Sequence, residues 1–233
     1  MKLRLLGELN DFIARSQRGR TQTVALSRRA GVKDVIEARG VPHTEIGLVR
    51  IDGLAAPLAG VLAPGSAAHI VAAPMTSAQR RADWPGAAPA FVADVHLGAL
   101  LRRLRLAGFD VAYANDHDDA RLAAISDETD RVLLTRDRGL LKRARVRHAR
   151  FVRDDAPQAQ YDDIVAHFSL AGRMQPFTRC SDCNTPLAAV AKADIVHRLE
   201  PLTKAHYHRF ARCPACDKLF WGGSHVADMR GRL

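Results

Sequence analysis

Acidic residues are the scarce class in this chain: 25 Asp and Glu stand against 35 Lys and Arg, a net charge of +10 over 233 residues. That deficit favours a polyanionic partner, either nucleic acid or an anionic membrane surface, and composition alone does not choose between them. Cysteine is almost absent, with four residues and none before Cys180, which excludes a disulfide-built scaffold. From Gly53 to Gln79 there is no charged side chain, yet Pro57, Gly60, Pro64, Gly65, Ser66, His69 and Pro74 interrupt the run too often for a helix in lipid. Buried strands and turns are the expectation there. The N-terminus reaches Glu8 before an apolar signal segment can form, so a cytoplasmic protein with no membrane partner is expected. What remains, 47% apolar and 26% charged residues, is ordinary for a globular chain of one to two domains.

Residues 1–75 carry short apolar runs at Leu3–Leu6, Thr23–Leu26, Gly47–Ile51 and Ile70–Ala72, a helix around Val32–Ala38, and an Asp52-Gly53 hairpin turn. The order strand, strand, helix, strand, strand resembles a β-grasp, ubiquitin-like domain. Small sulfur carriers share that fold, but they need a free Gly-Gly terminus. Here the segment runs on through Ala73-Pro74, so docking a protein partner is the better expectation. Residues 76–90, with Pro85, Gly86 and Pro89, read as a linker.

From residue 91 to 172 strands and helices alternate: strands at Phe91–Ala93, Asp110–Tyr113, Val132–Thr135 and Arg150–Arg153. A helix carrying Leu97, Leu100, Leu101 and Leu104 follows the first strand and ends at Gly108. Another passes through Leu122 and Ile125, a basic helix precedes the fourth strand, and a last helix carries Tyr161, Ile164, Val165 and Phe168. Such alternation predicts an α/β parallel sheet with helices on both faces.

Ligands of such sheets bind beyond the carboxyl ends of the strands. An acid stands just past each expected end: Asp94; Asp116, Asp118 and Asp119; Asp137; and Asp154-Asp155. Crowded carboxylates stay ionised most economically around a divalent cation, and hard oxygen donors suit magnesium or manganese. Such ions support phosphodiester hydrolysis. Any one of these acids is as often the N-cap of the next helix. Eight bases between residues 136 and 153, against Asp137 alone, flank the acids, and Arg102, Arg103 and Arg105 add a second basic group. Arg102, Arg105, Arg136, Arg138, Lys142 and Arg143 are therefore candidate phosphate contacts.

The cysteines form two pairs, Cys180-x-x-Cys183 and Cys213-x-x-Cys216, separated by 29 residues. In a reducing compartment this spacing points to a closed, structural, four-thiolate zinc site. His206, His208 and His225 are weaker competing ligands. The insertion between the pairs interleaves Arg198, Lys204, Arg209 and Arg212 with Tyr207 and Phe210, a composition suited to unpaired RNA and equally to a small core beside the knuckles.

Asp94-x-x-Leu97-Gly98, Leu101-Arg102-x-Leu104-Arg105-x-x-Gly108-Phe109-Asp110 and Leu133-Leu134-Thr135-Arg136-Asp137-Arg138 together resemble the Mut-seven C-terminal family of PIN-like RNases. The ubiquitin-like front end and zinc-ribbon tail extend that resemblance over nearly the whole chain. It implies a PIN-like nuclease domain at 91–172, a zinc ribbon with a basic and aromatic insertion at 173–233, and magnesium- or manganese-dependent RNA cleavage. Asp94 and Asp137 match its motifs directly. Asp119 is the third expected catalytic acid, with Asp116, Asp118 and Asp155 as further candidates. Phe220-Trp221-Gly222-Gly223-Ser224-His225 resembles a family signature, which adds Trp221, Ser224 and His225 to Tyr207 and Arg209 as candidate RNA contacts, although a Trp here also serves as ribbon core. The expected substrate is RNA at or near a 3′ end, tRNA included. The alternative is a non-catalytic RNA-binding adaptor that docks a partner through the ubiquitin-like domain.

Overall fold

The computed structural model describes residues 1–84, 87–114 and 116–222. Its chain divides into two compact units, Met1–Pro85 with Asp118–Val152, and Gly86–His117 with Arg153–Leu233.

In the first unit, Lys2–Leu5 alternates exposed cations with the buried Leu3 and Leu5, the period-two pattern of a half-buried strand. It pairs in parallel with His69–Pro74 at the centre of a five-stranded sheet. Thr21–Thr23 lies on one side, and Ile46–Ile51 then Leu54–Ala56 on the other. The helix Val32–Glu37 turns Val32, Val35 and Ile36 into a core shared with Leu3, Leu5, Ile70 and Ala72. Asp52 and Gly53, at φ +50° and +84°, make the left-handed two-residue turn that joins Ile46–Ile51 to Leu54–Ala56. This is the expected β-grasp layout.

The charge-free stretch does supply strands, Leu54–Ala56, Val61–Leu62 and His69–Pro74. Only part of it is buried: Leu62, Ile70 and Ala72 are inside, whereas Leu54 is 76% exposed on the edge strand, although register puts it in one row with Ile51 and Ile70. The stretch read as a linker contains the helix Ser77–Asp83, started by a reciprocal Thr76–Gln79 capping box. Its Arg80 is buried and donates to the carbonyls of Thr44 (2.8 Å) and Ala149 (2.9 Å).

The same unit holds Val132–Thr135, buried at all four residues and parallel to Ala149–Phe151, with the helix Asp119–Glu128 against it. The expected basic helix between these strands is a single 3-10 turn, Leu140–Lys142. The buried Leu140, Leu141 and Val146 have no helical spacing, so no apolar stripe holds a longer helix together.

In the second unit, Phe91–Ala93 pairs in parallel with Val111–Ala112. Leu100, Leu101 and Leu104 of the helix Gly98–Leu106 are buried, as are Tyr161 and Ile164 of the helix Pro157–His167. Phe91 meets Phe109 and Phe168 edge to face, with ring centroids 6.4 and 5.5 Å away. Gly108, at φ +98°, ends the first helix where a Cβ would lie 2.3 Å from the Gln175 carbonyl oxygen, so only glycine fits. Ala188–Val190, Phe210–Arg212 and Leu219–Trp221 form an antiparallel sheet behind the cysteines. The chain is thus mixed α/β, with parallel strands flanked by helices between a β-rich front and a four-cysteine tail.

Candidate functional sites

The acids separate by role. Asp94 follows directly on Phe91–Ala93 and is buried as a residue, and its side chain does not cap the Val95–Leu97 turn that begins beside it. Asp118 is the N-cap of its helix, accepting from the Arg121 amide at 2.7 Å, so the structural role holds for that residue. Asp119 opens the helix, half-exposed, with the Arg143 guanidinium 3.5 Å away. Asp137 sits two residues beyond Val132–Thr135. Its amide donates to Thr135 Oγ1 (2.9 Å), while its own Oδ1 accepts from the amides of Gly139 (2.6 Å) and Leu140 (3.3 Å). Asp116, Asp154 and Asp155 are exposed.

Several expected phosphate contacts have other work. Arg105 is buried and donates to the carbonyls of Val111, Ser181 and Asp182, so it does not face RNA. Burial lowers its pKa from the usual guanidinium value. Arg138 donates to the carbonyls of Asp11 (3.1 Å) and Phe12 (3.2 Å), with its guanidinium over the rings of Phe12 and Phe151. Lys142 donates to the Glu37 carbonyl at 3.0 Å. Arg102, Arg143 and Arg209 are exposed, and Arg136 is half-buried.

The cysteines converge. All four Sγ atoms lie within 4.8 Å of one another, with Cys180 to Cys216 at 3.5 Å and Cys183 to Cys213 at 3.4 Å. Zinc–sulfur bonds of about 2.3 Å in a tetrahedron require sulfurs about 3.8 Å apart, so the cage fits structural zinc held by Cys180, Cys183, Cys213 and Cys216. The two knuckles are built alike. Cys180 and Cys213 donate from their amides to Thr185 and Lys218 carbonyls, and the left-handed residues Asn184 (φ +66°) and Asp217 (φ +63°) donate back to the Cys180 and Cys213 carbonyls. Burial pushes the Cys180 thiol up to about 12, whereas the Thr185 hydroxyl, 3.3 Å from its sulfur, pulls Cys183 down to about 6.

Charged side chains tie the knuckles down. Lys218 donates to Asp182 at 2.8 Å and holds that carboxyl below the usual range. Asp217 accepts from Arg212 and Arg198, and chiefly the Arg212 contact lowers its pKa. The sequence offers Arg105 only as a phosphate contact and does not single out Asn184 or Asp217. Asn184 and Asp217 had a signal, since each directly follows the second cysteine of a pair. In the insertion, Tyr207 and Trp221 are partly buried against Ile195, Leu199 and Phe210, so they serve as core. Ser224 and His225 lie outside the described residues.

A family model described as the Mut7-C RNase domain matches residues 89–233, and one described as the Mut7-C ubiquitin matches residues 1–80. No curated protein and no solved structure matches the chain. The first match spans more than half of the sequence and includes Asp94, Asp119, Asp137 and the four cysteines, which supports an RNA-related nuclease function. The chain belongs to the Mut7-C RNase family, with a Mut7-C ubiquitin-like domain ahead of its RNase domain.

Proposed function

We propose that the protein is a divalent-cation-dependent ribonuclease that hydrolyses phosphodiester bonds at or near the 3′ ends of tRNA or other RNAs. One observation carries the reading: inside the region matching the RNase domain, Asp94 is a buried residue at the carboxyl end of a strand, and its side chain does not cap the following turn. An acid taken out of water without a helix-capping role is a candidate for chemistry. Asp94, Asp119 and Asp137 offer the hard oxygen donors that magnesium or manganese takes. Such an ion, when bound, lowers the pKa of water and neutralises phosphate charge. The amides of Gly139 and Leu140 hold the Asp137 carboxyl group by one oxygen, leaving Oδ2 to face a ligand. Arg102, Arg136 and Arg143 would attract the RNA backbone, Arg143 from a position 3.5 Å from Asp119.

The test is cleavage of end-labelled tRNA and an unstructured RNA, with manganese, magnesium or neither, by the wild-type chain and by Asp94→Asn. Ion-dependent cleavage that falls at least about 100-fold in the variant, roughly 2.7 kcal/mol of transition-state stabilisation, supports the reading. Tight RNA binding with no cleavage under any condition overturns it in favour of an adaptor.

A further inference from the structure

The ubiquitin-like sheet has one face against its core and one face outward, and the outward face is cationic. Strand register places Thr21, Arg4, Val71, Arg50 and Ala55 in one row across all five strands. The next row runs Thr23, Lys2, His69. Lys2, Arg4, Arg50 and His69 are all exposed, and none of the five strands contains an Asp or Glu. Arg4 and Arg50 stand two strands apart, about 10 Å at the usual strand spacing.

At one corner, Lys2, Thr21, Thr23, Ala67 and His69 line an open hollow of about 500 Å³. Its polar side chains are an ammonium, two hydroxyls and an imidazole. Among the described residues, the Lys2 ammonium, both threonine hydroxyls and the His69 ring have no hydrogen-bond or ion-pair partner. Asp52, which does not line the hollow, accepts from the His69 amide at 2.8 Å through Oδ1. Arg50 spends one N–H on the Gly53 carbonyl, at 3.0 Å, within its own hairpin. The apolar members of the face, Leu48, Ala55, Val71 and Ala73, are too few and too interspersed with charge to form a hydrophobic docking patch.

We infer that the outer face of this sheet binds the sugar-phosphate backbone of RNA, with the hollow between Lys2, Thr21, Thr23 and His69 seating a phosphate. Cations spaced along a rigid sheet, hydroxyl donors beside them on the edge strand and no Phe, Tyr or Trp on the face fit backbone contact better than base reading. The inference rests on the RNA-directed function of the family and not on which acids cut. It gives the ubiquitin-like domain a substrate-holding role in place of protein docking.

The test measures binding of a labelled single-stranded RNA to the full chain carrying Asp94→Asn, so that the outcome does not depend on cleavage. In that background Lys2→Gln/Arg4→Gln/Arg50→Gln is compared with Arg121→Gln/Arg145→Gln/Arg147→Gln, which removes the same charge from elsewhere. The sheet variant is expected to bind on the order of tenfold more weakly and to lose about 2 from the slope of log K against log salt. The control variant should keep both. Lys2→Arg/Arg4→Lys/Arg50→Lys should restore them, which separates lost charge from misfolding. Unchanged affinity and slope in the sheet variant, or equal losses in sheet and control variants, would overturn the inference and return the face to a protein partner.

Discussion

Asp137 is held by its neighbours in a way that makes a small change at Gly139 informative. A Cβ at Gly139 would lie 3.0 Å from Asp137 Oδ1, inside ordinary contact distance. Gly139 itself has φ −68° and ψ −45°, a conformation that alanine adopts freely. Gly139→Ala should therefore leave stability unchanged or raise it by about 0.4–1 kcal/mol through the unfolded chain. It should also push the Asp137 carboxyl group off the Gly139 and Leu140 amides and slow cleavage roughly tenfold, about 1.4 kcal/mol. Urea titration and cleavage rates check the two halves; a variant as fast as the wild type would remove Asp137 from the reaction. His148 gives a second residue-scale test. Burial pushes its pKa below the usual imidazole value, against the attraction of Asp83 at 3.8 Å, and its ring meets Trp84 edge to face. The folded state therefore prefers neutral His148. Its contribution is present above the unfolded value near 6.5 and is lost as pH falls through the lower folded value, because the unfolded chain takes up the proton first. Urea midpoints at pH 5 and 7.5 should differ less in His148→Gln than in the wild type, and an unchanged difference would assign the pH dependence to other groups.

Among the elements, the knuckles are the ones expected to depend on a metal for their order. Arg105 of the helix Gly98–Leu106 bridges the Val111 carbonyl to the carbonyls of Ser181 and Asp182, and Asn184 accepts from the Val111 amide at 3.1 Å while donating to Asp110 at 2.8 Å. The Cys180–Cys183 knuckle is thereby fastened to the strand Val111–Ala112. Stripping zinc should raise hydrogen exchange at the Val111 amide as well as at the cysteines, and protection at Val111 that survives chelation would show that the knuckle stays folded without metal. These elements also show what a sequence reveals. Phe91–Ala93 and Val132–Thr135 were legible because wholly buried strands read as unbroken apolar runs, and the knuckles because thiol spacing is a geometric requirement. The Ala30–Gly31 and Val61–Leu62 ladder was not, since two residues show no period. The Ser77–Asp83 helix carried a readable Thr76–Gln79 box, but the prolines and glycine after it concealed the signal. Arg105 reads as a phosphate contact like its neighbour, because nothing local distinguishes a buried arginine from the exposed Arg102 three residues before it in the same basic run.

At the scale of the molecule, the ubiquitin-like domain shares buried contacts with residues of the RNase match. Within the first unit, Arg150 has only 3% of its side chain exposed and pairs with Glu8 at 2.8 Å and with the buried Glu45 at 3.4 Å. Glu45 also accepts from the Phe151 amide at 2.7 Å, and His43 bridges the Glu37 carboxylate (2.7 Å) to the Val146 carbonyl (2.9 Å). Phe151 packs on the β-grasp core beside Phe12, with ring centroids 5.2 Å apart. Arg138, Lys142 and Arg80 add the carbonyl contacts already described. Every acid in that set comes from residues matched by the ubiquitin-like family, whereas Arg150 and Phe151 belong to the RNase match. Removing residues 1–80 would leave Arg150 without Glu8 and Glu45 and would uncover Phe151. Losing one side of a buried ion pair alone costs about 3–5 kcal/mol, a large part of a domain's stability. The 81–233 fragment is therefore expected to be insoluble or to lose protection across Val132–Phe151, and to cleave nothing. The point variant Arg150→Met should lower the urea midpoint of the full chain without abolishing cleavage. A soluble fragment with wild-type activity would show that the RNase domain folds alone and that these contacts merely park a mobile module. The reverse result would make the ubiquitin-like domain part of the enzyme's fold, so that any partner it recruits must bind a surface other than the one facing Arg150.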